Sequence, residues 1–244
     1  MGAVIHTSAN IAGVSQKGDK RIIHLNVDLN PHDIFVDQIL VATGRRPNTS
    51  DLGLDLAGIE TDSRGAIVVD EYLRTTNTKV SAAGDVTGAP QFVYVSAYEG
   101  ALAVDNALLG LNRAVDFKAL PRVTFTSPQL ASAGLTEAKA IEAGFDVVTS
   151  ILPLDAIPRA LVNHETKGLF KLVAEAGTGK LLGASIMSES AGEVIQSAVL
   201  AIKYGITTSE LATTFHPYLT MVEGLKLAAQ TFTRDVHKLS CCAA

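Results

Sequence analysis

The run LFKLVAEAGTGKLLGASIM, Leu169 to Met187, decides the fold class. Two stretches rich in Leu, Val, Ile and Phe flank Ala176-Gly177-Thr178-Gly179, which predicts a hairpin between residues 169–175 and 181–187. No helix follows Gly177-Thr178-Gly179, so the glycines serve a turn and not a phosphate loop. Before the hairpin, the pattern predicts a strand over 122–126, a helix over 137–143 and a strand over 146–152. After it come helices over 193–203, stopped by Gly205, and over 221–232. Strands and helices do not simply alternate here, so this half is expected to be α+β with an antiparallel sheet. A boundary is expected near Ala119–Pro121, giving units of residues 1–118 and 119–244.

The first 45 residues read as strands. Residues 21–29 alternate apolar and polar, residues 34–43 form a second β-rich run ending at Gly44, and Gly18-Asp19 suits a turn. No strand–helix–strand unit accompanies them, and an open ribbon is marginal by itself. Further chain upstream is therefore expected. Residues 49–65 are loop-like, short strands are expected at 66–69 and 79–83, and a helix over 92–109.

Over the 244 residues, 20 basic and 25 acidic side chains leave a net charge of −5, with no basic stripe. Nucleic-acid binding is thereby disfavoured, because phosphate neutralisation needs clustered Lys and Arg. No apolar run is long enough for a membrane span, and the first residues lack a secretory pattern. The two cysteines, Cys241 and Cys242, exclude a disulfide scaffold and make the cytoplasm the expected compartment.

That vicinal pair is the sharpest chemical feature. Disulfides prefer Cα atoms about 5.5 Å apart, whereas neighbours are about 3.8 Å apart, so two thiolates on a tail suit a soft metal ion better than each other. His237 and Lys238 would favour the thiolate form. Against this stands the plain reading of a frayed terminus. Two strand ends, at Gly44 and at Gly84-Asp85, offer a carboxylate and close backbone approach to a ribose or ribityl hydroxyl. Gln91-Phe92-Val93 opens a helix whose free amides suit a partial negative charge. Each is also an ordinary strand–turn junction. Residues 215–223 gather His216, Tyr218 and Glu223 before the last helix, a place where such groups are as readily structural as catalytic.

Together VATGRRPN (41–48), AAGDVTGAPQFVYV (82–95), IPRALVN (157–163), PYLTMVEGLKL (217–227) and LSCCA (239–243) resemble the C-terminal half of flavin-dependent disulfide reductases, class I pyridine nucleotide-disulfide oxidoreductases. Within these the chain is similar to the mercuric reductases. The resemblance implies the remainder of the FAD- and NAD(P)-binding domains followed by an antiparallel-sheet-plus-helices dimerisation domain. It implies that Asp85 bonds the ribityl chain of FAD, and that Gly44, Gly84, Gln91, Phe92 and Val93 line the cofactor. Related lipoamide and glutathione reductases carry a His five residues before a Glu as their acid–base pair. In this chain Tyr218 stands five before Glu223, a mark of the mercuric enzymes. The implied activity is NADPH-dependent reduction of Hg(II) to Hg(0), with Cys241 and Cys242 delivering the metal to the active site of the other subunit of a homodimer. The Gly-rich FAD loop, redox-active dithiol and nucleotide fingerprint of that family are not in these residues. A flavin-free, dimeric metal-thiolate module is the alternative. His216 would either add a nitrogen ligand or cap the last helix, and the cap is expected.

Overall fold

In the computed structural model, which describes residues 2–236, the hairpin at Leu169–Met187 is the middle of a five-stranded sheet. Its strands are β4 (Arg122–Thr124), β5 (Gln129–Gly134), β6 (Val147–Pro153), β7 (Leu169–Glu175) and β8 (Leu181–Ser188), numbered after three earlier strands described below. They run antiparallel in the order β4-β5-β8-β7-β6. Helices α2 (Glu137–Glu142), α3 (Pro158–Val162), α4 (Ala191–Tyr204), α5 (Thr208–Thr213) and α6 (Glu223–Gln230) complete this unit, which begins at Ala114. Phe170, Leu172, Ala184 and Ile186 from the sheet pack with Ile195, Ala198 and Ile202 of α4 and with Leu225 and Ala228 of α6. All are essentially inaccessible to water, so the apolar area they remove is the main stabilising contribution. Gly183 is required by close approach: a Cβ there would lie 1.9 Å from the Leu135 carbonyl oxygen. Thr207 opens α5 with a capping box, its hydroxyl accepting from the Glu210 N–H while the Glu210 carboxylate accepts from the Thr207 N–H.

The first unit, ending at Arg113, starts with a three-stranded antiparallel meander of β1 (Ala9–Lys17), β2 (Lys20–Val27) and β3 (Asn30–Val36). Its turns fall at Gly18-Asp19, as expected, and at Asp28-Leu29, with Gly18, Asp28 and Leu29 in the left-handed region. The expected strand over 34–43 stops at Val36. Residues 38–43 make no backbone ladder among the described residues, and Leu40 and Val41 are 91% and 75% exposed. A strand needs a hydrogen-bonded neighbour, and none among the described residues reaches this segment. The strands expected at 66–69 and 79–83 reduce to the single bridges Thr61↔Ile67 and Arg74↔Ser81. They pack through a small cluster of Ile59, Ile67 and Ala82. A 3-10 turn at Gly84–Thr87 then leads to α1 (Val93–Leu109), which ends at Gly110.

Candidate functional site

The Gly84–Val93 segment is shaped by a glycine and a buried acid. Gly84 has φ +81, and a Cβ on it would sit 2.6 Å from the Ser96 hydroxyl of α1. Its N–H donates to the Glu99 carboxylate at 2.6 Å, from a helix side chain only 1% exposed. Burial pushes the Glu99 carboxyl above its ordinary range, opposed by that N–H. Glu99 was not singled out from the sequence; its one signal is a carboxylate on the apolar face of a helix.

With the Gly84 backbone fixed in this way, the Asp85 carboxylate is left 44% exposed, with the Arg45 guanidinium at 3.9 Å. Arg45 follows Gly44, whose φ of +98 turns the chain, and donates to the Gln91 carbonyl at 3.5 Å. Arg45 thus links two of the expected cofactor segments. α1 starts at Val93 with Phe92 as N-cap and no side-chain cap, the Phe92 carbonyl accepting the Val95 and Ser96 N–H groups at 3.0 and 3.1 Å. The Phe92 and Tyr94 rings stack at 5.1 Å on either side of Val93, which is 87% exposed. A cavity of about 700 Å³ adjoins this segment, walled by Arg45, Arg46, Arg64, Ser63, Gly88 and Gln91. Its guanidinium groups suit an anionic ligand. An exposed carboxylate beside an uncapped helix start fits the ribityl and pyrimidine parts of a flavin.

In the second unit, the loop after α5 places Tyr218 and Glu223 differently. Glu223 is 2% exposed and accepts the Leu219 N–H at 3.3 Å, where Leu219 takes φ +60. Tyr218 is 62% exposed. No hydrogen bond joins the phenol to the carboxylate among the described residues. The acid braces the loop from beneath and the phenol is displayed. His216 does not cap the last helix: its Nδ1–H donates to the Thr214 carbonyl at 3.0 Å, and Val222 starts α6 without a side-chain cap. The two-residue reach to Thr214 is shorter than that to α6. Cys241 and Cys242 lie outside the described residues. Among the described residues no group of three His, Cys, Asp or Glu could hold a metal ion, and no helix is long and apolar enough to cross a membrane.

Residues 1–100 match the family model of the pyridine nucleotide-disulphide oxidoreductases, and residues 120–229 match that of their dimerisation domain. Mercuric reductase of Bacillus cereus is 54% identical over 242 residues, which cover 99% of this chain and 38% of that protein. That of Streptomyces lividans is 53% identical, covering 99% of this chain and 51% of that protein. The chain therefore spans about half, or less, of the length of these curated relatives. The solved HOCl-induced flavoprotein disulfide reductase RclA from Escherichia coli is 33% identical with a TM-score of 0.82, covering 91% of this chain and 50% of that one. LpdA from Mycobacterium tuberculosis gives 27% identity and 0.84, covering 93% and 49%.

Proposed function

The chain belongs to the pyridine nucleotide-disulphide oxidoreductases, and from that premise we propose that it forms the C-terminal part of an NADPH-dependent, FAD-containing mercury(II) reductase. The observation that carries this reading is the 54% identity to a mercuric reductase along 99% of the chain. Tyr218 five residues before Glu223, and the Cys241-Cys242 pair, support it. The reaction converts NADPH and Hg(II) to NADP+, a proton and Hg(0), so one electron pair moves from nicotinamide to metal. When bound, FAD supplies the relay for that pair.

The chain's own residues bind, orient and transfer. Asp85 accepts a hydrogen bond from a ribityl hydroxyl, Gly44 and Gly84 permit close backbone approach, and Gln91, Phe92 and Val93 turn the start of α1 toward the pyrimidine edge. Tyr218 donates a hydrogen bond from its phenol to a thiolate or departing ligand rather than acting as a base. Glu223 holds the loop that carries it. Cys241 and Cys242 capture Hg(II) as a dithiolate and hand it on by ligand exchange, one attacking thiolate replacing one leaving thiolate at each step. The chain pairs as a homodimer through residues 119–244, and the tail serves the partner's site. The Gly-rich FAD loop and the redox dithiol come from outside these residues.

To test this, the chain is joined to the missing half and Hg(II)-dependent NADPH oxidation is followed. Turnover should be strict in Hg(II), and Cys241→Ala with Cys242→Ala should slow it at least about tenfold when Hg(II) is supplied on small thiols. NADPH oxidation indifferent to Hg(II) overturns the activity. Unchanged turnover of the double variant overturns the tail's role.

A further inference from the structure

We propose that Arg159 and Glu193 form reciprocal ion pairs across a two-fold interface, Arg159 of each copy meeting Glu193 of the partner subunit. The proposal rests on the homodimer reading above and adds the contact that specifies it. Arg159 belongs to the IPRALVN stretch, which the proposed chemistry leaves without a role. It sits on α3, half-buried, and lines a cleft of about 620 Å³ together with Asn163, Glu189, Ser190 and Glu193. The same cleft runs on to Leu219–Val222, the wall of the loop that displays Tyr218.

Arg159 and Glu193 face this one cleft, yet neither makes an ion pair among the described residues. Two other carboxylates line a neighbouring cavity with Arg159: Glu165, which makes no ion pair among the described residues, and Glu189, which accepts from the Asn163 amide at 2.5 Å. Opposite charges that share a cleft without reaching each other are satisfied twice over by a second copy. In an isologous interface, if one residue meets another across the axis, the reverse contact follows by symmetry. The helices that carry the two charges also bear exposed apolar side chains. Leu161 and Val162 on α3 are 51% and 55% exposed, and Leu200 on α4 is 46% exposed. Charged and exposed apolar side chains on the same helices have the make-up of a protein interface. Both charges fall within residues 120–229, which match a dimerisation domain.

The test is a charge swap on the full chain, with oligomeric state read by sedimentation velocity and folding by circular dichroism. Arg159→Glu alone and Glu193→Arg alone should each raise the dimer dissociation constant at least about tenfold, by setting like charges against each other. The double variant should return it to within about threefold of the starting value, which a merely misfolded variant would not do. Single variants that dimerise as the parent does, or a double variant no better than either single, overturn the ion pairs and leave the homodimer standing. A parent chain that stays monomeric up to about 100 μM overturns the homodimer reading and the pairs together.

Discussion

The two units of this chain solve the same problem with unequal means. From Ala114 onward, the five strands and five helices of the described residues enclose a large apolar core in which Phe170, Leu172, Ile202 and Leu225 are fully buried, with a smaller cluster of Ala140, Val173 and Leu182 beside it. Before it, three strands and one long helix leave Ile11, Val14 and Phe35 between 57% and 59% exposed, and the cluster of Ile59, Ile67 and Ala82 is small. The difference teaches where stability and chemistry are divided. The second unit is braced by side chains, whereas the first is braced by polar backbone contacts: Asp62 accepts the N–H groups of Arg64 and Ala66, and Asp70 those of Tyr72 and Arg74. A region held this way opens at lower free energy. The proposed flavin contacts lie in it.

The comparison is broken most directly at one aromatic in each unit. Phe170→Ala should cost about 3–5 kcal/mol by denaturant melt, because it empties a site in a closed core. Phe35→Ala should change stability by less than about 0.5 kcal/mol. Equal losses would show that the first unit hides a core of its own. Hydrogen exchange sharpens the point: amides of β7 and β8 should outlast those of β1 by at least about a hundredfold, and uniform protection would contradict the division. Thr207→Ala should cost about 1 kcal/mol by removing the capping box of α5.

The smallest effect is one of slope. Glu99 has its carboxyl raised by burial, so its protonated form favours the fold; that contribution is present below the ordinary value of 4.5 and is lost as pH rises through the raised one. Asp62 runs the other way. The Ala66 and Arg64 amides lower its carboxyl, so its contribution is present above 3.8 and lost as pH falls through the lowered value. The first unit should therefore be most stable in mild acid and weaken toward neutrality. Glu99→Gln should flatten that decline, since the amide oxygen still accepts the Gly84 N–H, and melts from pH 4 to 8 would show it.

How far the sequence foretold this depends on what each element leans upon. The hairpin of β7 and β8, helix α1 and helix α4 were legible because each carries its own period and its own stop at Gly179, Gly110 or Gly205. Strand β5, read as QLASAG, was not, because Ala, Ser and Gly have little strand preference and its place comes from pairing with β8. Helices α3 and α5 were missed as too short to show a period. The run IFVDQILVAT misled in the opposite sense, having strand composition throughout and a partner only as far as Val36. At the site, Asp85 and the start of α1 could be named from spacing, but the support given by Glu99 and Arg45 could not, since both reach across sequence gaps.

The unpaired segment at residues 38–43, QILVAT, has a consequence for handling the protein. It is uncharged, lacks proline and is rich in β-branched and apolar side chains, and among the described residues its amides and carbonyls are free of backbone partners. Such a stretch is a template for cross-β stacking between molecules. In concentrated stocks of the isolated chain it is the place from which fibrils would seed. A single gatekeeping charge, Leu40→Lys, should lengthen the lag before thioflavin fluorescence rises.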